Sequence, residues 1–304
     1  MRIAFVFVFV FVLCLALAVG GGASLSAQAA TGQTPLLNCS GLPCVDVTAA
    51  GGRHLKMLID TGNANSVLDR PIADTMGIHL QPVNGPDGKP YPGYASGTLA
   101  GLRIGDAALG DLEMLVVNLK PSIDDGSMPA ADGTLAYTAF KDRVLTIDYR
   151  NRLVHISGVA PASSSCTHAC GTITNPTFGK HGPPIVVTTG FQLNGQPLTM
   201  QIDTLYEGTM LIYPTSVEKL GLAAQQNSAK TRIFHFTDGG VPMIESTAAQ
   251  EGFEDKVLRS NAALYFATPK VHLPDGMFDG TVGNELFAGH VLTLDFHANR
   301  FRIS

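Results

Sequence analysis

The feature that most constrains this chain is that it is written twice. Residues 132–156 and 279–303 align without a gap at a shift of 147, and nine of the 25 positions are identical: Asp, Gly, Thr, Phe, Val, Leu, Thr, Asp and Ile. Average composition gives about one or two matches by chance over such a span, so this is an internal duplication. A second pair lies upstream, where residues 56–68 match residues 199–211 at a shift of 143. It brings Asp60-Thr61-Gly62 over Asp203-Thr204-Leu205. After each comes a proline, Pro71 or Pro214, and a short helix-compatible stretch closed by Gly77 or Gly221. Proline suits a first helical turn and glycine the residue past the last one. Before each comes a strand, a Gly-containing turn (Gly51-Gly52 or Asn194-Gly195) and a second strand running into the aspartate. Two similar, mostly β lobes are expected.

Composition agrees with that expectation. Of 304 residues 15 % are charged, below the roughly 25 % of an average domain, which excludes a coiled coil or a charge-rich disordered chain. With 33 Gly and 18 Pro, turns and short strands are favoured over long helices. A net charge of −5 leaves no electrostatic footprint for nucleic acid or an anionic membrane.

Residues 1–29 read as an export signal: Arg2, an apolar run from Ile3 to Val19, then Ala27-Gln28-Ala29 as the cleavage site. The alternative is a retained anchor, since such a run is near the lower limit for a spanning helix. Cys14 follows Leu13, which does not suit lipidation. The mature chain is expected in the periplasm or secreted, off the membrane. Its four cysteines form two close pairs, Cys39 with Cys44 and Cys166 with Cys170, read as disulfides of an oxidising compartment. A soft metal site around Cys166, His168 and Cys170 is the alternative, although a fourth ligand is not evident. The organisation expected is a first lobe over 30–160, a Ser/Thr/Gly/Pro-rich linker over 161–184 holding the second Cys pair, and a second lobe over 185–304.

Two Asp-Thr turns in related lobes suggest a dyad. If the lobes pack about a pseudo-two-fold axis, Asp60 and Asp203 meet there. Two carboxylates a few ångströms apart cannot both ionise cheaply, so they share a proton and titrate as a unit. The ionised member can take a proton from water while the protonated one polarises a carbonyl oxygen, which is amide hydrolysis without metal or cofactor. Thr61 and Thr204 would brace the turns through hydrogen bonds across the axis. Asp-Thr-Gly alone is a weak signal, because Asp and Gly favour ordinary turns. Recurrence in register with Asp-Gly-Thr gives it weight.

The chain resembles bacterial aspartic-peptidase-like proteins built from two retropepsin-type lobes, and is similar in outline to pepsin-like proteases. Asp60-Thr61-Gly62, the later Asp132-Gly-Thr-Leu-Ala136 and their second-lobe copies carry the resemblance. It implies two β-barrel lobes, a central cleft holding an extended peptide, and a β-hairpin flap. Tyr91-Pro-Gly-Tyr94-Ala-Ser-Gly97 lies where that flap belongs, so Tyr91 or Tyr94 would cover the substrate. The other reading is a surface hairpin whose tyrosines merely pack.

Leu205 departs from the family pattern, which wants Gly or a small residue there, so the turn is expected to be displaced or the cleft narrowed. Ala136 in the Gly slot of the first lobe is a milder change. Asn63 and Tyr206 lack the short hydroxyl of acid-adapted relatives, which predicts a less acidic dyad and a weakly acidic to neutral optimum. Asp148 and Asp295 read as structural strand-end positions. Zinc-peptidase and serine-hydrolase motifs are absent from the sequence. The leading expectation is an exported aspartic endopeptidase acting as a monomer. One rival is a degenerate lobe pair that binds peptide or an envelope ligand without cutting it. Another is a homodimer that assembles two copies of Asp60.

Overall fold

The computed structural model describes residues 32–85, 88–158, 170–177, 184–227, 230–236, 239–268 and 277–304. The segment expected as an export signal, Cys166, His168 and most of 161–184 lie outside the described residues. Within the stretch expected as linker, Cys170–Thr174 is a strand, pairing with Arg300–Ile303 on one side and Val187–Leu193 on the other. Its alternating burial, with Gly171 and Ile173 inward, is what a β pleat produces.

The fold is mostly β, with two closed barrels. An eight-stranded sheet is built from residues of the first half, and a thirteen-stranded sheet combines both halves. Extra pairings between Leu42–Ala49 and Pro90–Ile104, and between Val187–Leu193 and Gly239–Phe253, curl each sheet back on itself.

The duplication becomes a symmetry at one strand pair. The copies Val144–Asp148 and Val291–Asp295 lie antiparallel, with Val144 opposite Asp295, Thr146 opposite Thr293 and Asp148 opposite Val291. A strand paired with its own copy about a common centre defines a local two-fold axis. The two threonine hydroxyls face each other at 3.4 Å on that axis. Asp148 accepts hydrogen bonds from Asn151 N and Nδ2, both at 2.8 Å, and Asp295 accepts one from Ala298 N at 2.8 Å. Both therefore cap turns.

Each lobe then repeats one construction. The Arg53–Asp60 strand runs parallel to Gly133–Ala136, which also pairs antiparallel with Ser66–Asp69. In the second lobe Gln196–Ile202 runs parallel to Gly280–Val282, which pairs antiparallel with Met210–Ile212. The Asp-Gly-Thr segment is thus wedged between the two strands that flank the Asp-Thr turn. The wedge explains its composition. A Cβ on Gly133 would run into the Val67 carbonyl, and one on Gly280 into that of Leu211. Asp132 accepts from Lys56 N at 2.7 Å and Asp279 from Thr199 N at 2.9 Å, each carboxylate tying its segment to the strand beside it.

The segment Tyr91 to Gly97 lies in a hairpin. It is one arm, part of the Pro90–Ile104 strand, while the chain turns further back at Gly85–Lys89. Gly85-Pro-Asp-Gly88 is the stronger turn signal, and Pro92-Gly93 instead interrupts the ladder, where Pro82 pairs with Ala95 but Asn84 with Pro90. Tyr91 and Tyr94 sit in that bulge, edge to face at 5.0 Å, with Tyr91 exposed.

Candidate active site

Asp60 ends the Arg53–Asp60 strand and Asp203 directly follows Gln196–Ile202, so both carboxylates are placed by the last residue of a buried strand. The two turns are locked to each other across the axis. Thr61 N donates to Thr204 Oγ1 and Thr204 N donates to Thr61 Oγ1, each at 3.1 Å. Each hydroxyl then donates onward to the opposite lobe, Thr61 to Ile202 O at 3.1 Å and Thr204 to Ile59 O at 2.6 Å. Both threonines are fully buried. Four hydrogen bonds in a water-free place fix the turns as one body.

The carboxylates are held in the same way. Asp60 accepts from the backbone amides of Gly62 and Asn63, and Asp203 Oδ1 from Leu205 N at 2.9 Å and Tyr206 N at 3.1 Å. Gly62 meets the opposite aspartate so closely that a Cβ there would collide with the Asp203 carboxylate. Burial raises the proton affinity of both acids, and the Asp203 charge raises that of Asp60 further, well above the usual carboxylate range. Two acids so placed titrate as a unit and hold a first proton more tightly than an isolated carboxylate does.

Asn63 and Tyr206 turn away from the acids. Asn63 Oδ1 accepts from Asn65 N at 3.1 Å, and the Tyr206 ring packs in the second-lobe cluster with Tyr265 and Tyr213. Leu205 finds its space in the other lobe, packed against Cys39, Leu42, Cys44 and Leu58. The Cys39–Cys44 disulfide is formed, closing the hairpin turn at Ser40-Gly41. Cys170 is also disulfide-bonded, which argues against its thiolate as a metal ligand.

Residues 45–135 match the family described as aspartyl protease. That stretch is aspartic-protease-like. The matched stretch holds Asp60-Thr61-Gly62, and the duplication carries the motif into the second half. Among solved structures, the chain is similar to basic 7S globulin from soybean, at 12 % identity over 90 % of this chain and 94 % of that one, with a TM-score of 0.45. Conglutin gamma from lupine seeds aligns at 8 % identity over 90 % and 94 %, with a TM-score of 0.49. An aspartic proteinase from Irpex lacteus aligns at 11 % identity over 90 % and 97 %, with a TM-score of 0.48. No curated protein matches the chain.

One participant in this aspartic-protease-like site was not legible in the sequence. Gln201 Nε2 donates to Gly62 O at 3.1 Å, and Gln201 Oε1 accepts from Thr281 Oγ1 at 3.3 Å, which lies 2.6 Å from Tyr213 Oη. A buried polar chain in lobe two thereby holds the lobe-one turn. The signal was there: the duplication aligns Gln201 with Leu58, a polar residue where the copy is apolar.

Proposed function

We propose that the chain is an exported aspartic endopeptidase in which Asp60 and Asp203 activate water between them. The observation that carries the reading is the reciprocal Thr61–Thr204 lock, which sets two proton-rich carboxylates against one axis. The ionised member of the pair takes a proton from the water as it attacks, and the protonated member donates to the carbonyl oxygen of the scissile amide. As the C–N bond breaks, the proton taken from water passes to the leaving nitrogen and the other carboxylate takes one back from a hydroxyl of the tetrahedral intermediate, restoring the shared proton. An extended peptide would add its main chain between the lobes, with Tyr91 and Tyr94 covering it. Export is supported by the signal-like N-terminus and the formed disulfides.

Hydrolysis of a diverse peptide mixture from pH 3 to 8 tests this, run beside Asp60→Asn and Asp203→Asn. Loss of cleavage in both variants is the expected result. Activity that survives only Asp203→Asn points to a homodimer of first lobes. No cleavage by folded wild-type protein at any pH favours the second reading, binding without cutting, for which the half-buried Leu205 beside the dyad is the specific observation.

A further inference from the structure

The Asp-Thr pair is kept in both halves, but at position 205 a leucine replaces the copy's Gly62 at the point where the lobes meet. The direction of that side chain follows from symmetry. A Cβ on Gly62 would point across the axis into the Asp203 carboxylate, so the third residue of each turn faces the opposite lobe. Leu205 does so. It packs into a cluster whose other described members, among them Cys39, Leu42, Cys44, Leu58 and Met128, all belong to the first half, making Leu205 the sole contribution of the second.

That cluster borders the dyad. Leu58 and Asp60 are two residues apart on one strand, so their side chains emerge on the same face. Without Leu205 the cluster would offer an apolar recess beside the reacting carboxylate, where a substrate side chain would be held. Its outer wall is fixed twice, by the Cys39–Cys44 disulfide and by Asn284 Nδ2, which donates to Gly41 O at 2.6 Å from the second lobe. In lobe two the corresponding place is taken by Gln201, whose amide is committed to Gly62 O, so the apolar recess exists on one side only.

We propose that Leu205 occupies, from within, the apolar subsite that the first lobe holds beside Asp60, so that this chain accepts only a small substrate side chain there. The inference rests on a peptide entering this cleft, and deepens the functional reading by naming its specificity. Leu205 is a specificity-determining residue through its side chain, while its backbone amide, which donates to Asp203 Oδ1, is kept in either substitution.

The test uses two statine-type transition-state-analogue peptides that differ only in the side chain of the statine-like residue, isobutyl in one and methyl in the other. Binding to wild type, Leu205→Gly and Leu205→Ala is measured by calorimetry, with thermal unfolding to confirm that each variant is folded. Wild type is expected to show no preference for isobutyl, and both variants a preference of at least about tenfold, the scale on which an apolar pocket discriminates by size. The alanine variant keeps the readout should the glycine variant fail to fold. A wild type that already prefers isobutyl tenfold overturns the proposal. So does a folded variant that keeps the wild-type ratio or binds neither analogue. Peptide hydrolysis run in parallel separates the two readings. No cleavage by any variant together with a switched binding ratio sinks the peptidase and leaves the plug; cleavage with an unchanged ratio does the reverse.

Discussion

Three buried acids set the behaviour of single residues. Burial raises the proton affinity of Asp60 and Asp203, and lifts Glu251, which is 0 % exposed, to about 8. Glu251 Oε1 accepts from Thr209 Oγ1 at 3.1 Å, and among the described residues its Oε2 has no hydrogen-bond partner and Glu285, Arg259 and Tyr206 are titratable groups around it. Each acid binds its proton more tightly folded than unfolded, where a carboxyl titrates near pH 4. Their stabilisation is therefore complete below about pH 4 and lost as pH rises toward the folded values, for Glu251 up to about 8. Thermal unfolding from pH 4 to 9 should show falling stability, and Glu251→Gln and Asp60→Asn should each flatten part of that slope. The lock gives a second expectation. Thr204→Val leaves the buried Thr61 amide without its acceptor and should cost about 1–3 kcal/mol, while Thr204→Ser should retain most of it in denaturant unfolding. The Asp-Thr pair was readable because its chemistry is local and repeated. Glu251 and Gln201 were not, since a lone polar residue in a strand looks exposed until the sheet that covers it is known.

At the scale of elements, the Cys39–Cys44 hairpin and the Asp-Gly-Thr wedge carry the site. The disulfide closes a short loop, so Cys39→Ser with Cys44→Ser should cost about 2 kcal/mol, a Tm drop of roughly 3–4 °C for a chain this size. The loss should exceed that of a disulfide remote from the site in peptide-analogue binding, because the hairpin walls the Leu205 recess. Gly133→Ala should be worse, since the Val67 carbonyl occupies the space a methyl needs. A failure of this variant to accumulate as folded protein by circular dichroism is the expected outcome. Turn chemistry was legible where both central residues require positive φ, as at Asn194 (φ 51°) and Gly195 (φ 82°). At Pro92-Gly93 the same residue types serve a bulge and not a turn.

At the scale of the molecule, the two lobes are joined by shared sheet as well as by the dyad lock. Gly32–Pro35, Val144–Asp148 and Leu153–Ser157 of the first half lie in the same sheet as Val291–Asp295 and Arg300–Ile303 of the second. Residues 185–304 expressed alone would expose the edges that Val144–Asp148 and Cys170–Thr174 cover, and an uncovered edge invites pairing with other chains. Gel filtration should find that fragment aggregated and the mature chain monomeric.

The sequence by itself determined the duplication, the mostly β lobes and the paired Asp-Thr turns, because periodicity, turn chemistry and repetition are properties of neighbours along the chain. Only the tertiary structure decided where Leu205 goes. A side chain on the pseudo-two-fold axis has neighbours from the other half, 143 residues away at the equivalent turn, and whether it blocks, displaces or fills depends on the space left there. Here that space is an apolar recess of the first lobe, and the leucine fills it.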